Sequence, residues 1–247
     1  MVKKGIRNLF GQLGFQIYKS ENVLYIPEEI LLKAYMLKAF ESMNNTVRTI
    51  FDIGANIGNF TRFVSSVFPD AEVFSFEPVS ANYSSLKKNS VENKKVHSYH
   101  FTLGSHPEQK KKLFLKEDST WHSLANNDSW VLDENNFEYV TVETVDRFMN
   151  ENSVRSIDIL KTDTEGYDLE VLKGAEKALS ENRIKMVICE VGFNKEDIQH
   201  THFSAVQDYL FDKGFRVFGF TGLQACYEFN NKLGIGYCNC LFLNSDK

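Results

Sequence analysis

The segment FDIGANIGNF, residues 51–60, combines residue types that bind small ligands where a β-strand ends. A short apolar strand runs to Asp52, Gly54 and Gly58 flank a tight turn, and a helix is predicted to follow. Glycine lets a backbone turn sharply and lets a ligand approach closely, and a helix N-terminus offers unpaired N–H groups. Because ligands of open α/β sheets bind beyond the carboxyl ends of the strands, this segment predicts a ligand site.

The spacing of this segment differs from the G-x-G-x-x-G pattern of dinucleotide-binding proteins. Asn56 stands where that pattern needs its middle glycine, next to the pyrophosphate. Asp52 would repel a pyrophosphate but suits a cationic ligand or an amine. Glu77, in FSFEP, ends the next strand, where an acid accepts hydrogen bonds from ribose hydroxyls. Together the two segments predict a site for an adenosine group.

A second group of acids follows two later strands. Asp163 and Glu165 lie two residues apart in KTDTEGYD, and Glu190 ends the strand of KMVICEVG. These carboxylates could orient a hydroxylated substrate, act as general base or hold a divalent cation on oxygen ligands. Asp168 opens the following helix, where an acid also complements the helix macrodipole. A purely structural role for these acids is therefore the alternative.

Histidine is the side chain that titrates nearest to neutral pH. His200 and His202 follow Glu190 in VGFNKEDIQHTHF, and we expect this stretch to overhang the cleft. We hypothesise that His200 or His202 is the general base, with His122 as a further candidate. The alternative is that each imidazole is merely exposed to solvent.

Strands and helices alternate along most of the chain, which predicts a parallel sheet covered by helices. The last two strands are joined by a loop too short for a crossover helix, which predicts an antiparallel hairpin. Residues 105–138 are polar apart from KLFLK and predict an irregular excursion, in which Trp121 and Trp130 line a cleft or form a small second core. The predicted strands are 49–54, 71–78, 96–104, 112–116 within the excursion, 138–144, 156–163, 185–192, 215–220 and 236–243, and the predicted helices are 28–43, 59–68, 80–92 with Ser80 as N-cap, 145–151, 168–180 and 202–214.

The first 20 residues carry apolar side chains at helical spacing and basic residues on the polar side. This helix would pack on the main domain, on a second copy of the chain in a homodimer, or on a membrane surface. Polar residues and glycine interrupt the apolar stretch that a signal peptide needs, so we expect a cytoplasmic protein. We predict a helical extension over 1–47 and one domain over 48–247.

Composition disfavours some classes of function. The formal net charge is −5, whereas non-specific binding to a nucleic acid needs a basic surface. We therefore expect no nucleic-acid partner. Four cysteines do not make a disulfide scaffold. Cys238 and Cys240 alternate along the last strand, so we expect both thiols on one face, buried and reduced.

Three motifs in order, GANIGNF, FEPVSANYSSLKKN and DILKTDTEGYDLEVLKGAEKAL, resemble the FkbM-type family of S-adenosylmethionine-dependent methyltransferases. The resemblance spans roughly residues 48–220. It implies the Rossmann-like, seven-stranded α/β sheet of class I methyltransferases, with helices on both faces. It also implies O-methylation of a sugar hydroxyl in a nucleotide-linked sugar, glycan or glycolipid, as in polysaccharide biosynthesis. An NAD-dependent oxidoreductase and a non-catalytic nucleoside-binding protein are the alternatives.

The resemblance also implies roles for single residues. The methionine end of the cofactor would lie at Asp52, Gly54, Asn56 and Gly58, the ribose at Glu77 and the adenine near Thr102, with Asp163 also on the cofactor. Asp163 and Glu165 would face the acceptor hydroxyl. Asp168 stands where the family more often has Glu, which leaves its role open.

Overall fold

A computed structural model of the protein describes residues 18–20, 23–115, 136–197, 199–224, 227–229 and 232–244. Most of the helix predicted over the first 20 residues lies outside this part of the chain. His122, Trp121 and Trp130 lie outside it as well. The predicted roles of these residues, and the predicted contacts with a membrane surface or a second copy, stay predictions.

The chain divides into two compact units, one up to Asn45 and one from Thr46. In the first unit, β1 (Tyr18–Ser20) pairs antiparallel with β2 (Val23–Tyr25), and α1 (Glu28–Ser42) follows. The helix predicted over 28–43 is confirmed. The helix predicted over 1–20 is wrong at its end, because Tyr18–Ser20 form a strand; tyrosine and valine, which are common in this stretch, favour strands.

The second unit contains the remaining elements. In chain order they are β3 (Thr49–Ile53), α2 (Asn59–Val67), β4 (Glu72–Phe76), α3 (Ser80–Ser90), β5 (Val96–Tyr99), β6 (Thr102–Leu103), β7 (Glu108–Phe114), β8 (Phe137–Glu143), α4 (Val145–Glu151), β9 (Ile157–Thr162), α5 (Asp168–Lys173), α6 (Glu176–Ser180), β10 (Ile184–Gly192), α7 (Phe203–Phe211), β11 (Phe215–Thr221), β12 (Tyr227–Phe229), β13 (Lys232–Gly234) and β14 (Tyr237–Asn244).

Seven of these strands form one sheet in the order β11-β14-β10-β9-β3-β4-β5. The five strands from β10 to β5 run parallel, whereas β14 is antiparallel to both of its neighbours. The predicted seven-stranded, mostly parallel sheet with an antiparallel C-terminal hairpin is therefore confirmed. All six residues of β9 are buried, including the polar Asp158, Lys161 and Thr162, as expected for a central strand of a parallel sheet that is covered on both faces.

The chain order of the strands reverses between β3 and β9. From β3 the chain proceeds outward to β4 and β5, and β9 then pairs on the other side, with Ile53 opposite Thr162. A parallel α/β sheet opens a crevice at such a switch point, beyond the carboxyl ends of the strands. The fold therefore brings the residues after Ile53 and after Thr162 together.

A smaller sheet in the order β6-β8-β7 replaces part of the predicted excursion. The strand predicted over 96–104 is two strands, because β6 leaves the large sheet and pairs with β8. The strand predicted over 112–116 is the end of β7, which begins earlier, at Glu108, and so includes a charged run predicted as irregular; Leu113 is buried while Lys110 is exposed. An antiparallel strand can keep one face in solvent, so its charges do not prevent pairing.

The helix predicted over 168–180 is broken at Gly174 into α5 and α6. A Cβ atom at Gly174 would lie 2.0 Å from the carbonyl oxygen of Gly104, so the backbones touch there. The carboxylate of Asp146 accepts the N–H groups of Lys177 and Ala178 and so satisfies the start of α6.

Two local predictions have different outcomes. Ser80 is not the N-cap of α3: Val79 takes that position, and the Ser80 hydroxyl donates to Glu138 instead. The prediction for Cys238 and Cys240 is confirmed, since both are buried and free of disulfide bonds.

Within the part of the chain that the structure describes, no helix has the length and apolar character needed to cross a membrane.

We predict that Gly174→Ala lowers the free energy of unfolding by about 1–3 kcal/mol, the usual range for an overpacked contact. The matched control is Gly234→Ala, whose added Cβ would meet no atom within 4 Å. Urea unfolding of both variants tests this. Equal stability of the two variants would contradict the close Gly104–Gly174 contact.

Candidate active site

A cleft of about 360 Å³ opens at the switch point of the large sheet. The turn after β3, the end of β4, the small sheet and the ends of β9 and β10 all contribute to it. Its lining residues are Gly54, Ala55, Asn56, Ile57, Asn59, Phe60, Glu77, Pro78, Val79, Asn82, Thr102, Leu113, Lys161, Asp163, Thr164, Glu165 and Glu190. The two predicted groups of site residues therefore share one cleft.

The turn after β3 forms its near edge, and its glycines are required by space as well as by conformation. Gly54 has φ of +78°, and a Cβ atom there would lie 1.9 Å from the carbonyl oxygen of Asp163. Gly58 has φ of +89° and is the N-cap of α2, with Leu86 packed against it. Asn56, between them, is also left-handed with φ of +51°. The turn thus keeps a narrow shape beside the cleft.

Glu77 lies in the cleft and is held by two backbone N–H groups. Its Oε2 accepts the N–H of Asn56 at 2.7 Å, and its Oε1 accepts that of Val79 at 2.9 Å. A carboxylate has further acceptor sites on both oxygens, so it can still accept bonds from a ligand. Burial raises the pKa of Glu77 to about 7, against the opposing effect of these N–H groups.

Asp52 is fully buried and is not among the residues that line the cleft. Its Oδ2 accepts the hydroxyl of Thr61 at 2.6 Å, whereas its Oδ1 has no hydrogen-bond partner among the residues that the structure describes. Burial raises the pKa of Asp52, while the charge of Lys161 works in the opposite direction. A buried carboxylate oxygen without a donor is rare in proteins.

The acids of the cleft surround a lysine that sequence reasoning missed. Lys161 Nζ lies 2.9 Å from Asp163 Oδ2. Oxygens of Asp163, Glu165 and Glu190 lie within 4.8 Å of one another. Burial alone would lower the pKa of Lys161, but the charges of Asp163 and Asp52 raise it. The sequence does contain a sign of this contact. Lys161 lies inside a buried strand, two residues before Asp163, and side chains two residues apart in a strand point to the same face of the sheet.

Glu165 occupies the left-handed region with φ of +51°. Such a backbone conformation costs about 1 kcal/mol or more for a residue other than glycine, and it occurs here directly at the cleft. Strained residues of this kind cluster at functional sites. Glycine at the next position, Gly166, is also left-handed.

Asp168 does not line the cleft but fixes the loop that carries its acids. Its Oδ1 accepts the hydroxyl of Thr162 at 2.8 Å and both the N–H and the hydroxyl of Thr164. Its Oδ2 accepts the hydroxyl of Thr201 at 3.3 Å. Asp168 therefore connects the loop after β9 to the segment that precedes α7.

The two predicted histidines have different surroundings, and neither lines the cleft. His200 is buried, its Nδ1 lies 2.7 Å from Asp197 Oδ2, and its Nε2 lies 3.7 Å from Glu190 Oε2. His202 is the N-cap of α7, and its Nδ1 accepts the N–H of Ser204. Of the two, only His200 reaches a residue of the cleft.

The far end of the cleft is less polar. Thr102 and Leu113 come from the small sheet and line the cleft together with Pro78 and Val79. Thr102, Leu113 and Val79 are buried. A flat, mostly apolar group fits such walls, and Thr102 supplies a hydroxyl there.

Comparison with known proteins agrees with this architecture. The family model for the methyltransferase FkbM domain matches residues 52–217. A protein of Beauveria bassiana (strain ARSEF 2860) named Methyltransferase 1 is 24% identical over 185 residues, which cover 68% of this chain and 72% of that protein.

Two solved structures share the fold. The methyltransferase FkbM from Methylobacillus flagellatus KT superposes with a TM-score of 0.51 at 15% identity and covers 80% of this chain. This chain spans only 43% of the Methylobacillus chain. The N-terminal domain of human METTL16 has a TM-score of 0.50 at 12% identity, with 97% of this chain and 78% of that chain covered.

A seven-stranded sheet with an antiparallel strand before its edge, and a cleft at its switch point, defines a Rossmann-like methyltransferase. The match to the FkbM domain covers well over half of the chain. The chain belongs to the FkbM methyltransferase family.

We predict that Glu77 makes stability depend on pH. Because its folded pKa is raised from 4.5 to about 7, the folded state keeps a proton that the unfolded state has lost between these values. The contribution of Glu77 to stability therefore falls as pH rises through this window. Between about pH 5 and pH 8, the free energy of unfolding should fall further in the wild type than in Glu77→Gln, on the order of 1–3 kcal/mol. Urea unfolding at both pH values tests this, and parallel curves would contradict it.

Proposed function

We propose that the protein is an S-adenosylmethionine-dependent O-methyltransferase that acts on a hydroxyl of a sugar. The observation that carries this proposal is Glu77, held by two backbone N–H groups in the cleft beside the Gly54–Gly58 turn. Membership of the FkbM methyltransferase family supports the reaction class. The sugar would be part of a nucleotide-linked sugar, a glycan or a glycolipid, in polysaccharide biosynthesis.

The lining residues fit the parts of this cofactor. Thr102, Leu113 and Val79 would hold the adenine, and Glu77 would accept the ribose hydroxyls. The turn with Gly54, Asn56 and Gly58 would hold the methionine end, and Asp52 and Asp163 would attract its positive charges. The unpaired Oδ1 of Asp52 supports a cationic ligand nearby. When bound, the cofactor supplies the methyl group on a sulfonium.

The acceptor would lie at the acidic end of the cleft. Asp163, Glu165 and Glu190 offer carboxylate oxygens to several hydroxyls at once, and Phe60 lines the same cleft. A sugar presents both hydroxyls and apolar C–H faces, so it suits acids beside an aromatic ring. We propose Asp163 and Glu165 as residues that orient the acceptor hydroxyl. His200 takes part through Glu190, which it faces, whereas His202 has a capping role that leaves it a weaker candidate.

We propose that the reaction needs no divalent cation. Asp163, Glu165 and Glu190 are close enough to share one, but the ammonium of Lys161 already binds Asp163 at 2.9 Å. A metal ion bound to Asp163 would lie close to the ammonium group of Lys161, and the two positive charges would repel each other. Lys161 thus supplies the local charge compensation that a metal ion would otherwise give.

We predict that the protein binds S-adenosylhomocysteine but not NAD in calorimetric titrations. Glu77→Gln should weaken binding of S-adenosylhomocysteine about tenfold or more, which corresponds to about 1.4 kcal/mol. The matched control is Glu72→Gln at the start of β4, the strand that Glu77 follows, where the carboxylate faces His97 instead of the cleft. Absence of S-adenosylhomocysteine binding in the wild type would overturn the proposed function.

We also predict transfer of a labelled methyl group to at least one member of a panel of nucleotide sugars, with equal rates in the presence and absence of EDTA. An RNA sample in the same panel tests whether a nucleic acid is the acceptor. Loss of transfer with EDTA would indicate a cation on the three carboxylates. Transfer to RNA alone would show that the sugar assignment is wrong.

A further inference from the structure

Three side chains continue from the acidic end of the cleft into the protein interior. Glu190 lines the cleft, His200 lies behind it, and Asp197 lies behind His200. The distances are 3.7 Å from Glu190 Oε2 to His200 Nε2 and 2.7 Å from His200 Nδ1 to Asp197 Oδ2. The His200 and Asp197 side chains are only 4% and 5% exposed, against 16% for Glu190. Only the first of the three is therefore positioned to touch a substrate.

The imidazole of His200 is held in one orientation. Asp197 accepts from its Nδ1 side, and the Tyr237 ring stacks on it at 4.2 Å with an angle of 14° between the planes. Asp197 is itself fixed, because it also accepts the N–H of Gln199. A carboxylate on one ring nitrogen favours a proton there and sets where the other nitrogen points. In this protein the other nitrogen points to Glu190, and it can donate to that carboxylate when it is protonated as well.

Methyl transfer to a hydroxyl releases one proton, which needs an acceptor in the site. The hydroxyl oxygen bonds to the methyl carbon while the bond from that carbon to sulfur breaks, and sulfur keeps the electron pair. The O–H bond breaks as well, and its proton must move to a base within about 3 Å. Asp163 is already bound to Lys161, which makes it a weaker base than a carboxylate without such a partner.

The surroundings of Glu190 favour proton uptake. Burial, followed by the negative charges of Asp163, Glu165 and Asp168, raises the pKa of Glu190 well above the ordinary value, while the charge of Lys161 lowers it. His200 faces Glu190 from the segment after β10. A carboxylate with a raised pKa binds a proton more strongly than an ordinary carboxylate does, which suits a general base.

We propose that Glu190 is the catalytic base that takes the proton of the acceptor hydroxyl, and that His200, oriented by Asp197, is a positioning residue that acts through Glu190. This inference rests on the proposed methyl transfer to a hydroxyl. It replaces the sequence-based hypothesis of a histidine base, because the histidine in contact with the site is separated from the cleft by a carboxylate. This role requires a proton on both ring nitrogens of His200, one directed to Asp197 and one toward Glu190, so that His200 holds the Glu190 carboxylate in place before proton transfer.

A double-mutant cycle on Glu190 and His200 tests the inference. The acceptor is the nucleotide sugar of the panel to which the wild-type protein transfers a methyl group. Glu190→Gln should lower kcat about 10²- to 10⁴-fold, the usual contribution of general base catalysis, and leave S-adenosylhomocysteine binding unchanged. His200→Ala should lower kcat about tenfold in the wild-type background. In the Glu190→Gln background it should have no further effect, because a residue that acts through Glu190 has nothing left to position.

Two further variants separate positioning from a merely structural role. His200→Gln retains an amide that can donate to Glu190, so it should restore part of the kcat lost in His200→Ala. The matched control is His97→Gln, which disrupts another contact between an imidazole and a carboxylate, 2.6 Å from Glu72 on the large sheet. It should leave kcat unchanged. Unchanged binding of S-adenosylhomocysteine verifies that each variant is folded.

The outcomes distinguish this inference from the proposed function. Wild-type kcat in Glu190→Gln would overturn the assignment of the base while methyl transfer itself stands. Equal losses from His200→Ala in both backgrounds would overturn the positioning role of His200. Failure of the wild-type protein to methylate any member of the panel would overturn the proposed function and this inference with it.

Discussion

The backbone contact between the ends of β3 and β9 fixes the geometry on which the cleft depends. The N–H of Asp163 donates to the carbonyl of Ile53 at 3.1 Å, and the carbonyl of Asp163 occupies the space where a side chain at position 54 would begin. Only glycine fits there, both by space and by its positive φ. This contact places the glycine turn, which would hold a cofactor, directly against the acids that would meet an acceptor. The cofactor and the acceptor would thus be brought together by a contact of the main chain that does not depend on side chains.

The second constraint is charge. The cleft and its immediate surroundings hold the carboxyl groups of Asp52, Glu77, Asp163 and Glu190 around one buried lysine. Burial raises the pKa of Asp52, Glu77 and Glu190, so part of their negative charge is costly near neutral pH. Lys161 offsets this cost for Asp163 through their direct contact. A cationic ligand would offset more of this cost, so the negative charge of the site favours the binding of a positively charged group.

Much of the fold was predictable because its signals are local. Strands that end in an acid, such as those before Asp52 and Asp163, and the glycines of the turn predicted a ligand site beyond the carboxyl ends of the strands, whereas the switch point became clear only from the strand order. The break at Gly174 was not predictable, since its cause is the carbonyl of Gly104, which is distant in sequence. The roles of Asp168 and His200 were hidden for the same reason: their partners, Thr201 and Glu190, become neighbours only through folding. Lys161 was not predicted, because its burial against Asp163 arises only when the strand is covered on both faces in the folded sheet.

The small sheet has a consequence for how the protein folds. Thr102 lies on β6, which pairs only with β8, after the whole intervening segment has been made and brought back. Closing such a long loop costs chain entropy and slows folding relative to local contacts. By this measure the wall formed by Thr102 and Leu113 is completed after the pairing of β3 with β4 and of β4 with β5, whereas the pairing of β3 with β9 closes a longer stretch of chain still. A ligand bound against that wall would stabilise the pairing of the small sheet, so its binding and the folding of this part would be thermodynamically linked.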